Sequence, residues 1–276
     1  MRDDTAREPW RVVLVYVFVA DIFPIMPSVL KSEKGALMEE KKKFQLRFNQ
    51  ILHEEMRKHF TLRLLQLDPD FKLKYSGDDV NAYIKSEYWD CPKTAGIRLG
   101  ETDFQGSMTI QFGNVPPSNQ YNFPILGYTF LCANKCLIVV LDLLPISRDK
   151  EYMKTYFTAL REVSQKYAWI PSVEGGRTEV HEWAKVYDSG YSLYRWCDGK
   201  YMANMEDAFR DYVNIFCDCI SKAEPLSDPK MVAQRNKHIE QYNYDYLCND
   251  PGNAPLKSYF GNDWAERYMK EFLFAP

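Results

Sequence analysis

Residues 125–144 read ILGYTFLCANKCLIVVLDLL, two apolar runs on either side of Asn134 and Lys135. These runs, 125–131 and 137–144, are the two most apolar strands expected in the chain, and a link this short joins antiparallel neighbours. Upstream, 107–112 alternates cleanly, with Met108, Ile110 and Phe112 on one side and Ser107, Thr109 and Gln111 on the other. Further short strands are expected over 60–67, 71–75, 81–88 and 97–99. A helix over 44–59 precedes them, its apolar stripe formed by Leu46, Phe48, Ile51, Leu52 and Met56. After the hairpin the period changes to helical over 151–167, 204–223 and 229–246, with Ser227 and Asp228 as caps for the last of these. A final helix is expected from Asp263, where Glu266 would complete a capping box. Strands first, most helices after and one helix in front imply an α/β protein. The expected architecture is a three-layer α/β/α sandwich with a central antiparallel sheet, formed by residues 44–276 as one domain.

The chain has 276 residues, 46% apolar and 26% charged, an ordinary balance for a globular protein. Its 19 Tyr, 16 Phe and 6 Trp supply many flat apolar surfaces. A net charge of −3 gives no overall basic field, so nucleic acid is not an expected partner. Seven Cys, an odd number with no C-x-x-C pair, argue against a disulfide framework, a structural zinc or an iron–sulfur site. Residues 1–43 form an extension of unclear role. Its apolar run from Trp10 to Ala20 is too short to span a membrane, and Asp3, Asp4 and Glu8 do not suit a basic leader. No stable membrane insertion is expected, and a monomer is.

Several chemistries lack their motifs. No G-x-G-x-x-G turn, no G-x-x-x-x-G-K-[ST] loop and no G-x-S-x-G elbow occurs. An enzyme built on this sequence would draw on side-chain acids and on an electron source outside the chain.

Three ordered segments carry a resemblance. The first comprises Asn249-Asp250-Pro251-Gly252, the run YFGNDWAERY at 259–268, and Phe272-Leu273-Phe274. The second is Phe123-Pro124-Ile125-Leu126-Gly127 followed by Val140-Leu141-Asp142-Leu143-Leu144-Pro145, and the third is Glu224-Pro225-Leu226. Together they resemble the ferredoxin-dependent bilin reductases, over roughly residues 44 to 276. The resemblance implies an α/β/α sandwich holding a linear tetrapyrrole between the sheet and the C-terminal helices. It also implies no bound metal or flavin, with single electrons delivered by reduced ferredoxin and protons supplied by side chains. The expected activity is reduction of biliverdin or a dihydrobiliverdin at the A-ring, giving a phytobilin such as phycoerythrobilin or phytochromobilin. A plastid stroma in an alga or plant, or the cytoplasm in a cyanobacterium, would be the compartment. The alternative is a non-catalytic bilin carrier that kept the pocket and lost part of the acid set.

Site residues follow from the same likeness. The acid of the Asn-Asp motif matches Asp250, with Asn249 beside it as a substrate contact. Pro251 disfavours helix at the residue before it, so Asp250 is expected on a loop at a helix end. A carboxyl held against a tetrapyrrole would have its pKa raised and could donate a proton. Where the family places His, Asn or Asp on an upstream strand, this chain aligns Gln111 if the loop from Pro117 to Phe123 holds one extra residue; otherwise it aligns Phe112. Thr129 stands where several members have Asp, which motivates the A-ring expectation. Arg195 resembles a family arginine that anchors a propionate, and Arg98 is a second candidate for that role.

Overall fold

The computed structural model describes residues 45–77, 82–104, 108–133 and 135–275. The extension over 1–43 and hairpin residue Asn134 lie outside the described residues. The core is an antiparallel sheet of eight strands: β1 (Arg63–Leu64), β2 (Leu73–Tyr75), β3 (Tyr83–Asp90), β4 (Ile97–Phe104), β5 (Met108–Val115), β6 (Ile125–Ala133), β7 (Cys136–Leu144) and β8 (Leu193–Asp198). From β3 to β8 the strands lie in chain order, while β1 and β2 share the outer edge of β3. Sequential antiparallel order is the arrangement that short hairpin links allow.

Each strand presents alternate residues to opposite faces, and the register sorts them. One face carries the row Glu101, Gln111, Phe130, Val139 and Arg195, beside the row Leu99, Gly113, Tyr128, Leu141 and Leu193. Helices α1 (Phe48–Met56), α3 (Lys150–Tyr167) and α4 (Met202–Lys222) belong to the layer on this side. Phe48 stacks on Phe130 with ring centroids 3.4 Å apart, and Phe209 of α4 meets both rings edge-on. The stripe expected on α4, from Met205 to Ile220, is fully buried. Burial of such side chains is worth about 1.5–3 kcal/mol each, so this packing is a substantial source of stability.

Lys93 ties this layer to the β3–β4 turn. It is the one non-glycine with positive φ, 66°, among the described residues. Its Nζ donates to the carbonyls of Ile220, Ser221 and Ala223 at 3.0, 3.3 and 2.7 Å. A cation thus supplies donors to carbonyls at the C-terminal end of α4, where the helix dipole favours it.

The opposite face meets the C-terminal helices: α5 (Pro229–Asn249), α6 (Asn253–Phe260), α7 (Asn262–Arg267) and a π turn over Tyr268–Leu273. Ser86 Oγ and Tyr268 Oη lie 2.8 Å apart, and Asn114 Nδ2 donates to the Leu273 carbonyl at 2.9 Å. Asp228 caps α5 by accepting from Lys230 N, with Pro229 at the first position, as expected.

Some boundaries differ from the sequence expectation. The strand expected over 71–75 begins as a helical turn, α2 (Pro69–Lys72), because Asp68 accepts from Asp70 N and Pro69 occupies the first helical position. Only Arg63–Leu64 of 60–67 pairs as strand, whereas 97–99 extends to Phe104. The capping box at Asp263 does not form. Gly261, at φ 89°, ends α6 and starts α7, and Glu266 instead pairs with Lys257 at 3.2 Å.

Replacing Lys93 with Met leaves the Ser221 and Ala223 carbonyls at a partly buried helix end without this donor, while Ile220 keeps the Ala223 amide. We expect a loss of about 1–2 kcal/mol, read as a lower urea midpoint at unchanged m-value.

Candidate functional site

On the second face the register lines up Arg98, Asn114, Gly127 and Asp142, then Gly100, Phe112, Thr129, Val140 and Tyr194, then Thr102, Ile110, Leu131, Ile138 and Trp196. The contrast with the helix-covered face is sharp. Phe130, Val139 and Leu137 are fully buried, whereas Ile110, Phe112, Thr129, Leu131, Ile138 and Val140 are only half-buried. The sheet therefore offers a half-open apolar floor, with the Thr129 hydroxyl the polar side-chain group among those six. Apolar concavities with a few polar groups are where flat organic ligands bind.

The C-terminal helices form the wall. Tyr242 on α5 is buried and donates to Asn114 Oδ1 at 3.3 Å, and its ring lies 4.5 Å from Tyr246 and 5.9 Å from Phe274. Asp250 follows the last residue of α5, in extended conformation at φ −65° and ψ 118°, where its Oδ1 accepts from Gly252 N at 2.8 Å. The loop-end position expected from Pro251 is thus the one observed. Desolvation lifts the Asp250 carboxyl from 3.8 to about 6, against the opposing pull of the Gly252 amide. Its charge acts on Tyr242 and Tyr246, which places it at the Asn114 end of the floor.

The other named residues separate. Thr129 and Arg98 share the floor's face. Arg98 is buried, donates to the Ala95 carbonyl at 3.2 Å, lies 5.8 Å from the Tyr88 ring, and has no carboxylate partner among the described residues. Desolvation lowers its pKa.

Gln111 and Arg195 point the other way. Gln111 opposes Phe130, not Thr129, and its amide is spent on α1. Oε1 accepts from Asn49 N at 3.1 Å, and Nε2 donates to the Leu46 carbonyl at 3.1 Å and to Glu101 at 2.6 Å. Arg47, the residue at the cap position, supplies no side-chain bond, so Gln111 does that work from a distant strand. Phe112, the residue of the alternative alignment, is the one that pairs with Thr129. Arg195 opposes Val139 on the helix-covered face and donates to the Tyr194 carbonyl at 2.8 Å. Asn249 is exposed and its side chain folds back onto the Asp245 carbonyl at 2.9 Å. Placing Gln111 and Arg195 in the pocket is therefore corrected by strand alternation, and placing Asn249 there by its local helix-end bond.

Sequence reasoning missed Asn114 and Tyr242. The apolar–polar alternation that assigned Gln111 to the site was the available signal, and it misled because this face of the sheet is apolar.

A family model described as ferredoxin-dependent bilin reductase matches residues 49–275. The chain belongs to the ferredoxin-dependent bilin reductases. It is 30% identical over 233 residues to a 15,16-dihydrobiliverdin:ferredoxin oxidoreductase of Nostoc punctiforme, covering 82% of this chain and 93% of that protein. It is 23% identical over 198 residues to a phycoerythrobilin:ferredoxin oxidoreductase of Gloeobacter violaceus, covering 68% and 77%. In fold it is similar to tomato phytochromobilin synthase, solved with biliverdin, with a TM-score of 0.75 at 21% identity and coverage of 83% and 82%. The activity is thus reduction of a bilin by ferredoxin, and the chain is an oxidoreductase.

Gln111→Leu should cost about 1–2 kcal/mol, through the lost bonds to α1 and an uncapped helix start. Bilin affinity, measured by absorbance titration, should change less than about twofold, because α1 and the floor lie on opposite sides of the sheet.

Proposed function

We propose that this reductase takes biliverdin to 15,16-dihydrobiliverdin, with Asp250 as proton donor. Two reduced ferredoxins each give one electron and are oxidised. The bilin gains two electrons and two protons across one C=C bond. Asp250 supplies one proton, reloads from solvent on its open side, and the second comes from solvent. The observation that carries this reading is the lifted carboxyl of Asp250, which has one backbone donor, whereas Asp142, the other lifted carboxyl on this face, is tied up by Ser189. One acid suits one two-electron reduction. The names of the relatives set 15,16-dihydrobiliverdin on one side of their reaction, which favours the bond between the last methine bridge and the outer ring.

Reduction of 15,16-dihydrobiliverdin at the A-ring is the second reading, and Thr129 favours it, since the floor carries a hydroxyl where other members have an acid. Arg98 is the arginine on the substrate side of the sheet and the better placed of the two for a propionate. Its guanidinium is buried without a carboxylate partner among the described residues, and its Nη1, which has no hydrogen-bond partner there, is the donor a propionate would take. Thr129 would orient a pyrrole or a water.

The test is anaerobic turnover with reduced ferredoxin and either bilin. Saturating the 15,16 bond cuts the conjugation and moves the visible band to shorter wavelength; A-ring reduction leaves the bridges intact. Turnover of 15,16-dihydrobiliverdin but not biliverdin would overturn the first reading in favour of the second.

The pKa of Asp250 sets the pH dependence. A raised carboxyl favours the folded state below its unfolded value, near 4, and that contribution is lost as pH rises through about 6. As a proton donor it must be protonated, so kcat/KM should fall about tenfold per pH unit above about pH 7. Asp250→Asn should bind bilin with little change, lose about a hundredfold or more in kcat, and lose that limb of the profile. An unchanged rate removes Asp250 from the chemistry.

A further inference from the structure

Two glycines in the sheet lie under aromatic rings from the neighbouring strand, one on each face. On the helix-covered face a Cβ at Gly113 would stand 2.5–2.7 Å from atoms of the Tyr128 ring. Tyr128 is buried and anchored by its hydroxyl, which donates to Asn49 Oδ1 at 2.7 Å. On the open face a Cβ at Gly100 would stand 2.2, 2.5 and 2.8 Å from Cζ, Cε2 and Cε1 of Phe112. Real Cβ atoms do not approach this closely, so the Phe112 ring occupies the space a side chain at position 100 would need. Its tip points across to β4, away from Thr129 on β6.

The surroundings give this pair a position at the edge of the floor. Asn114, two residues along β5, is covered by the C-terminal turn through its bond to Leu273. Ser86, beyond Gly100 in the same row, is held by Tyr268. Ile110, two residues the other way, is half-open. Phe112 is the first half-exposed side chain reached from the closed end where Asp250 stands. Gly100 and Phe112 themselves carry no group that can give or take a proton, and the Ser86 hydroxyl beside Gly100 is engaged by Tyr268.

We infer that the Phe112 ring, seated on Gly100, is the shelf that decides which bond of the bilin is reduced, by seating one end of the tetrapyrrole and keeping that side of it dry. A pyrrole ring stacked on Phe112 gains offset aromatic contact. With no acid and no room for water beneath, its protonation is confined to the Asp250 side. Regiochemistry then follows from position along the shelf. This inference rests on the bilin-reducing site proposed above and adds the residue that sets its selectivity.

Removing the ring leaves a hollow over Gly100 bordered by backbone groups, large enough to admit water. Phe112→Leu keeps an apolar cover; Phe112→Ala does not. The experiment is anaerobic turnover of biliverdin by wild type and both variants, with products separated by chromatography and identified by absorption. Wild type and Phe112→Leu should give one dihydrobilin. Phe112→Ala should bind bilin within about tenfold of wild type and release a second reduced isomer, at about a tenth of the total or more, the scale of selectivity that one well-placed contact provides. A single, unchanged product from Phe112→Ala overturns the inference, whatever happens to its rate. Absence of turnover by wild type overturns instead the reading on which it rests. If Phe112→Ala fails to fold, Phe112→Val, which also leaves Gly100 uncovered, is judged by the same product ratio.

Discussion

The register between β5 and β6 is the constraint on which the molecule depends. Phe130 opposite Gln111 and Thr129 opposite Phe112 are adjacent pairs on opposite faces. Phe130 closes against Phe48 and Phe209, while Gln111 holds the start of α1, the helix that carries Phe48. A slip by one residue would exchange the faces, turning Thr129 into the packed layer and Phe130 into the open cleft. Core packing and floor composition are therefore decided together. The Phe48–Phe130–Phe209 side of the sheet is closed by helices, while part of the other face stays half-open.

Much of the fold is legible from the chain. The apolar runs on either side of Asn134 and Lys135, the alternation in β5, the stripe on α4 and the cap at Asp228 each follow local rules, and each appears in the structure. The position of Asp250 at a helix end was legible too, because Pro251 restricts its backbone whatever the tertiary context. What was not legible is which face of β5 would stay half-open. Polar Gln111 looks like a site residue, yet its amide meets a helix that lies 62 residues away in sequence. Apolar Phe112 looks like core, yet it is half-open. Alternation shows that two faces exist; only the packing of distant helices shows which one is closed. The same holds for Arg195, whose strand is edge-paired to β7 and takes its facing from Val139.

The cleft also shows how position gives a common residue its chemistry. Asp142 lies on the same face as Asp250 and is fully desolvated, which pushes its carboxyl well above the usual range. It is held by Ser189, whose amide donates at 2.8 Å and whose Oγ lies at 2.5 Å, and so secures the chain just before β8. Asp250 has one backbone donor and an open side. The first carboxyl is a fixed strut, and the second can exchange protons with its surroundings.

The arrangement of the sheet's borders has a consequence for behaviour in concentrated solution. An apolar sheet face left half-open is a hazard chiefly when the sheet also presents a long free edge, along which another chain can add strands. Here the outer side of β3 is divided between two short strands, β1 and β2, that pair with different stretches of it. On the other border, the Trp196 carbonyl of β8 already accepts from Val173 N at 2.6 Å. Among the described residues neither border offers an uninterrupted ladder. The half-open apolar face is thus not joined to a long free edge along which copies could pair.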